Sequence, residues 1–287
     1  VKFASYNIQF GVGLDGIFDP DRIAESLRGA DVIALQEVTR GWPNNGEVDL
    51  VERIVSLFPD FHWVYGPACD IHRSSARIDG RVVDLRAQFG NMVLSRWPIL
   101  TNRMLLLPRA RTYEKLNLQR SASEAVIDAP GGAIRVYSVH LDHVSPEERI
   151  AQIRYLKERV FNFVSEGGAV TGAVEFGLPE VPLPDEFVIM GDFNMVPGSP
   201  EYCEMTGRDD YFYGRPARHG FAIDALARCG RLTGDSYSWI DANRPSERKH
   251  LDYCFLSPGL APRLKDASVD TGAAGSDHLP VWVDLDW

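Results

Sequence analysis

The chain is poor in cysteine and positive charge, and it has no long apolar run. Each shortage narrows what it can be. Four cysteines occur in 287 residues, Cys69, Cys203, Cys229 and Cys254, and no two are spaced as Cys-x-x-Cys. A zinc site built on cysteine is therefore not expected. Cys254 lies in an apolar run and reads as a small buried hydrophobe. Reduced thiols and a cytoplasmic setting are the expectation. Lys and Arg number 30 against 40 Asp and Glu, a net charge of -10. That imbalance argues against tight binding of duplex DNA, whose affinity comes from neutralising phosphates. Weaker nuclease action stays open, because local patches decide binding. No apolar stretch approaches the length of a transmembrane helix, and no signal peptide is visible. The chain begins at Val1 without Met, so a trimmed N-terminus or a removed leader also stays open. There is no solenoid repeat, no low-complexity tract and no Pro/Ser/Gly-rich linker. Residues 1–287 are therefore expected to form a single domain.

What is present is a series of short apolar runs, each ending in a polar cluster. Phe3-Ala-Ser-Tyr-Asn7, Val32-Ile-Ala-Leu-Gln-Glu37 and Arg135-Val-Tyr-Ser-Val-His140 are three of them. Val188-Ile-Met-Gly-Asp192-Phe-Asn194 and Ala274-Gly-Ser-Asp277-His278-Leu-Pro follow the same plan. An apolar run of this length, bounded by turn residues, reads as a buried strand. A carboxylate, amide or imidazole at each strand mouth lets several ligands converge. A hard divalent cation and a phosphoryl group need that arrangement.

The remaining segments alternate between strand and helix signals. Lys2–Gln9, 32–36, 61–65, 88–95 and 103–107 are expected strands. Asp19-Pro20 starts a helix, with a capping Asp and Pro at the first helical position. Val48–Phe58 is helical by its apolar spacing. Residues 68–86 have no clean period and read as an exposed loop or hairpin. Segments 121–128 and 133–140 flank a Pro-Gly-Gly turn. Ser145-Pro-Glu-Glu148 reads as a capping box opening a helix with Ile153, Leu156 and Val160 on one face. Strands at 187–191, 251–256, 265–270 and 279–285 and a short helix at 222–229 complete the chain. Hairpins mixed with helices predict an α/β (α+β) fold, with two packed, mostly antiparallel sheets and helices outside.

These clusters, in this order, resemble those of the endonuclease/exonuclease/phosphatase superfamily. That group of magnesium-dependent phosphoesterases includes pancreatic-type deoxyribonuclease, abasic-site endonucleases, neutral sphingomyelinases and inositol-polyphosphate 5-phosphatases. The resemblance runs from Tyr6-Asn7 to Ser276-Asp277-His278. It implies a four-layer α/β sandwich with the site at one end of the two sheets.

The resemblance also implies roles. Glu37, Asp277 and Asn7 become the Mg2+ site, with Mn2+ as a substitute. Read alone, Glu37 is equally a solvated strand-end carboxylate and Asn7 a turn cap. Asp192 and Asn194 sit two apart, which puts both on one face of an extended chain and turns Phe193 away. The resemblance makes Asp192 the group that orients or deprotonates water, and Asn194 a phosphate contact. An Asx turn explains one of the two. His278 bonds the scissile phosphate, as base or as charge stabiliser. Asp252 fixes its tautomer, as in a triad; alone, Asp252 is a strand-end polar group. His140 is the second histidine, at the phosphate or at the leaving group. His143 reads as a helix-entry residue that could assist. Arg120 is a phosphate contact or a surface salt bridge. His62, His72 and His219 have no motif context.

The implied reaction is single-step hydrolysis by in-line attack of water, with no covalent enzyme intermediate. The motifs define a reaction class and leave the phosphate-ester substrate open between nucleic acid, lipid headgroup and small molecule. A phosphomonoesterase and a non-catalytic phosphate- or partner-binding domain are the alternatives. Arg109, Arg111 and Lys115 could border an anionic groove, and Trp42 and Trp239 could stack on bases. Residues 167–185, apolar and Pro-rich, read as a lid, a dimer contact or a membrane-touching flap.

Overall fold

Strands alternate inward and outward side chains, so apolar residues at both parities need cover on both faces of a sheet. In the computed structural model, which describes residues 1–287, that cover exists for the central strands. The strands are β1 (Lys2–Asn7), β2 (Val32–Arg40), β3 (His62–Ile78), β4 (Arg81–Ser95), β5 (Ile99–Leu106), β6 (Ser121–Ala129) and β7 (Gly132–His140). They continue as β8 (Phe187–Asp192), β9 (Ile223–Asp224), β10 (Trp239–Ile240), β11 (Arg248–Lys249), β12 (Asp252–Leu256), β13 (Leu264–Val269) and β14 (Val281–Leu285). The helices are α1 (Pro20–Ser26), α2 (Leu50–Leu57), α3 (Pro146–Phe161), α4 (Phe163–Glu166), α5 (Pro200–Thr206) and α6 (Ala225–Arg228).

Two six-stranded sheets form, in the orders β13-β14-β1-β2-β4-β3 and β5-β6-β7-β8-β12-β9. Each is antiparallel except for one parallel pair, β1 with β2 and β7 with β8. Three apolar layers hold the stack. Phe3, Val32, Ala34, Val136, Val188 and Met190 pack between the sheets. Ala4, Tyr6, Ile33 and Leu35 face the other way, onto Ile23, Leu50 and Ile54 of α1 and α2. Tyr137, Val139 and Ile189 pack on Ile153, Leu156 and Val160 of α3 and on Met205 of α5. Each fully buried Val, Leu, Ile, Phe or Met among them contributes roughly 1.5–3 kcal/mol. The outcome is the expected four-layer sandwich.

Several boundaries differ from expectation for local reasons. β1 stops at Asn7 because Gln9 and Phe10 turn to φ 41° and 45°. The fifth strand begins at Ile99 rather than at 103. Residues 68–86 are the outer part of a long β3–β4 hairpin, turned by Asp79 and Gly80 at φ 50° and 76°. Positive φ at both turn positions matches the twist of paired strands. Both faces of this arm are exposed, which removes the alternation that marks a half-buried strand. The helix expected at 222–229 is only α6, capped by Asp224 from the end of β9. The capping box is half made. Ser145 Oγ accepts from Glu148 N at 3.2 Å, but Ser145 N is taken by Asp142 at 2.6 Å. The Glu148 carboxylate instead accepts from Ala110 N at 2.9 Å.

Residues 167–185 precede the end of β8 remote from Asp192. The Asp185 carbonyl accepts from Arg135 at 2.7 Å, near the start of β7. No residue of this segment lines the cleft described below, so it is not a lid over that cleft. No helix is long and apolar enough to cross a membrane. All four cysteines are free.

Candidate active site

Strand parity delivers the first four polar side chains to one place. Asn7 follows Phe3 and Ser5 on the inward face of β1. His140 follows Val136 and Ser138 on β7. Asp192 follows Val188 and Met190 on β8, and Asp252 precedes Cys254 on β12. The register sets Asp192 directly beside His140 on one side and Asp252 on the other. Three chemically active groups therefore form one row across three strands. Gly191 permits this closeness. Its φ is 154°, and a Cβ there would stand 1.8 Å from the Val139 carbonyl oxygen.

Glu37 arrives by a different route. Strict alternation would turn it outward with Leu35. The β2–β4 register shifts between Leu35 and Val38, and Glu37 adopts φ 59°. A bulge of this kind re-aims a side chain, and here the carboxylate reaches Asn7 Nδ2 at 3.3 Å. Asn7 also donates to Asp192 Oδ2 at 2.9 Å, which joins the two sheets through one amide. Below this layer Gln36 donates to Ser138 Oγ at 2.9 Å. Asn91 donates to the carbonyls of Ser121 and Ser138 at 2.9 and 3.0 Å. These bonds satisfy buried polar groups and hold the sheet ends together.

Asp277 and His278 come from the segment before β14. Ser276 Oγ donates to the Asn7 carbonyl at 2.7 Å and accepts from His278 N at 3.1 Å. Leu279 N bonds the Ser238 carbonyl at 2.7 Å, and Ile240 N bonds the Asp277 carbonyl at 2.9 Å. Pinned on both sides, Asp277 and His278 face the same space. His278 Nδ1 lies 2.8 Å from Asp252 Oδ2, which also accepts from Ser238 Oγ at 2.7 Å. His278 Nε2 lies 3.7 Å from Asp192 Oδ2. Trp239 Nε1 donates to Asp277 Oδ2 at 3.2 Å.

Arg120, just ahead of β6, is buried between two imidazoles. Its Nη1 lies 2.9 and 3.0 Å from the ring nitrogens of His140, and its Nη2 lies 2.8 Å from His143 Nδ1. It is not a surface salt bridge. Asn194 sits at φ 49°, with its backbone N–H on Asp192 Oδ1 at 2.9 Å and its amide on the Leu141 carbonyl at 3.2 Å. Asp192 and Asn194 both line the cleft, while Phe193 is fully buried in the layer under α3 and α5.

Burial and charge sort these groups. Burial, then the neighbouring Asp277, pushes the Glu37 carboxyl up to about 7. Burial likewise raises Asp277. Burial opposes charge on His278, but Asp252, Asp192 and Asp277 outweigh it and hold the ring protonated well above the usual histidine range. His140 moves the other way, kept neutral by burial and by Arg120.

Glu37, Arg120, His140, Asp192, Asn194, Asp277 and His278 line one cleft of about 410 Å3. Asn7 and Asp252 stand directly behind it, each bonded to His278 or Asp192. The structure therefore gathers all nine residues singled out from the sequence. A second lobe of about 430 Å3 adjoins the first across Asn194, Trp239, His278 and His143. Ser238 and Ser276 were not legible beforehand, and His143, read as a helix-entry residue that could assist, stands in the cleft. Ser276 adjoins the Asp277-His278 pair, which was a usable signal. Ser238 had none.

The donor set fits a divalent cation. Glu37 and Asp277 offer two hard oxygen donors whose charges disfavour each other, and Glu37 has a single long hydrogen bond. Ligand atoms of Asp192, Asp252 and His278 also lie within 4.8 Å of one another. In that group Asp252 Oδ2 is already engaged by His278 and Ser238, which favours the Glu37 and Asp277 side for a metal.

A family model described as "Endonuclease/Exonuclease/phosphatase family" matches residues 4–278. No functionally curated protein matches the chain. Among solved structures, a Bacteroides vulgatus endonuclease/exonuclease/phosphatase is 19% identical, with a TM-score of 0.66 over 100% of this chain and 98% of that one. A Bacteroides thetaiotaomicron mannosyl-6-phosphatase is 17% identical, with a TM-score of 0.65 over 100% of both. A Neisseria meningitidis 3'-5' exonuclease is 18% identical, with a TM-score of 0.57 over 100% of both. With the family model spanning nearly its whole length and the fold shared with these structures, the chain belongs to the endonuclease/exonuclease/phosphatase family.

Proposed function

We propose that this protein is a divalent-metal-dependent phosphoesterase that hydrolyses a phosphodiester by in-line attack of water. The observation that carries this reading is the row His140, Asp192, Asp252 with His278 Nδ1 on Asp252 at 2.8 Å, in one cleft with Glu37 and Asp277. Glu37 and Asp277, with Asn7 behind them, would hold Mg2+ or Mn2+, which when bound supplies Lewis-acid stabilisation of phosphoryl charge.

The chain's own groups divide the rest. Asp192 Oδ2, steered by the Asn7 amide, orients the attacking water and accepts its proton. The protonated His278 donates from Nε2 to a phosphoryl oxygen, so it acts through charge rather than as the base. Asp252 and Ser238 hold that ring in place, as a carboxylate does behind a catalytic imidazole. Arg120 and Asn194 supply further donors to the phosphate. Two lobes meet at His278, which leaves room for a substituent on each side of the phosphorus and favours a diester.

A phosphomonoester is the second reading, supported by the likeness to the mannosyl-6-phosphatase. Hydrolysis of bis(p-nitrophenyl) phosphate and of p-nitrophenyl phosphate, each with Mg2+ or Mn2+, separates them. Turnover of the diester, abolished by EDTA and by His278→Ala, is the expected result. Monoester-only turnover selects the second reading. Turnover that survives both EDTA and His278→Ala refutes the site.

A further inference from the structure

The mechanism above leaves two cleft imidazoles, His140 and His143, without a task, and only His143 is exposed to the cleft. His143 lies at the junction of the two lobes and lines both. Its Nδ1 is 2.8 Å from Arg120 Nη2. A guanidinium has five donors and no acceptor, so Nδ1 must carry a lone pair. A neutral ring with a bare Nδ1 carries its proton on Nε2. No protein atom accepts from that Nε2–H, and the side chain is exposed to the cleft. The fixed tautomer therefore aims an unspent donor at the space where a substrate would lie.

We propose that His143 is a substrate-binding residue, donating Nε2–H to a non-bridging phosphoryl oxygen where the two lobes of the cleft meet. The inference rests on the phosphoesterase reading. Burial, and then the adjacent Arg120 charge, lowers the affinity of His143 for a second proton. A neutral imidazole is a poor proton donor, so His143 binds and does not deliver a proton to the leaving group. This separates it from His278, which is charged, and from His140, which turns towards Asp192 at 3.4 Å.

The experiment uses wild type, His143→Ala, His143→Gln and His278→Ala with bis(p-nitrophenyl) phosphate and Mg2+. It reads kcat and KM from pH 6 to 9, the inhibition constant of orthophosphate, and the melting temperature. His143→Ala is expected to raise KM and the orthophosphate constant about tenfold, the worth of one hydrogen bond to a charged group. The pH profile and melting temperature stay in place. His143→Gln recovers part of the loss, because its amide N–H reaches the same position. An unchanged orthophosphate constant overturns the proposal, as does a displaced pH profile or an equal loss in both variants with a lowered melting temperature. If His278→Ala is fully active while orthophosphate binding still depends on His143, the phosphoesterase site has failed and the anion contact stands.

Discussion

Arg120 Nη1 stands 2.9 Å from Nε2 and 3.0 Å from Nδ1 of His140, in the buried wall of the cleft. A buried guanidinium is normally paired with a carboxylate. Here the nearest partners are two imidazoles, and Arg120 Nε has no partner at all. Such an arrangement is costly unless an anion completes it. Replacing Arg120 by Ala is expected to raise KM and lower kcat, with a combined loss of about 10- to 100-fold from one charged hydrogen-bond set. Lys restores little, because one ammonium cannot span His140 and His143 as the planar fork does. Steady-state kinetics on the diester checks both variants.

The Asp252 carboxylate makes its two strong bonds to His278 and Ser238. Asp252→Asn keeps the shape and removes the charge that holds the His278 ring protonated. The expected loss is about 10^2- to 10^4-fold in kcat with little change in KM. A loss confined to KM argues that Asp252 acts on binding alone.

Glu37 and Asp277 are the proposed metal ligands. Glu37→Gln and Asp277→Asn each remove one hard anionic ligand, so Mn2+ affinity measured by calorimetry is expected to fall at least about tenfold. The fold holds, since neither side chain lies in an apolar layer. Full Mn2+ affinity in both variants moves the metal to the Asp192 side of the cleft.

His250 supplies a pH test of stability. Both ring nitrogens are buried without partners, against the Tyr253 ring at 4.8 Å. Burial lowers its pKa from 6.5 to about 4. The unfolded chain therefore binds one more proton than the folded chain between those values, and stability falls as pH drops through that window. The full contribution is present above about 6.5 and is lost by about 4, a change of about 3 kcal/mol. His250→Phe is expected to flatten this part of the stability curve, measured by urea unfolding from pH 4 to 7. An identical slope in both proteins shows that His250 is already hydrated.

Much of the candidate site was legible because it follows from period two. Asn7, His140 and Asp192 end apolar runs and Asp252 opens one, and parity alone assigns them to one face. The layers were legible for the same reason: alternate residues such as Phe3 and Ala4 are both apolar, so both faces of each sheet had to be covered. The β3–β4 arm was legible only as an exposed loop or hairpin, because both of its faces meet solvent and no alternation is selected to decide between them.

Other features are set by groups distant in sequence. Glu37 reaches the cleft through a bulge whose register is set by β4, at φ 59°. His143 gains its tautomer from Arg120, 23 residues earlier. Asp277 is steadied by Trp239, 38 residues before it. The sequence by itself determined the buried strands, the face taken by each regularly alternating side chain and which chemical groups stand at the strand mouths, because these are local consequences of alternation. Only the tertiary structure decided protonation, tautomer and the role of each imidazole, because those depend on burial and on charges that folding alone brings within a few ångströms.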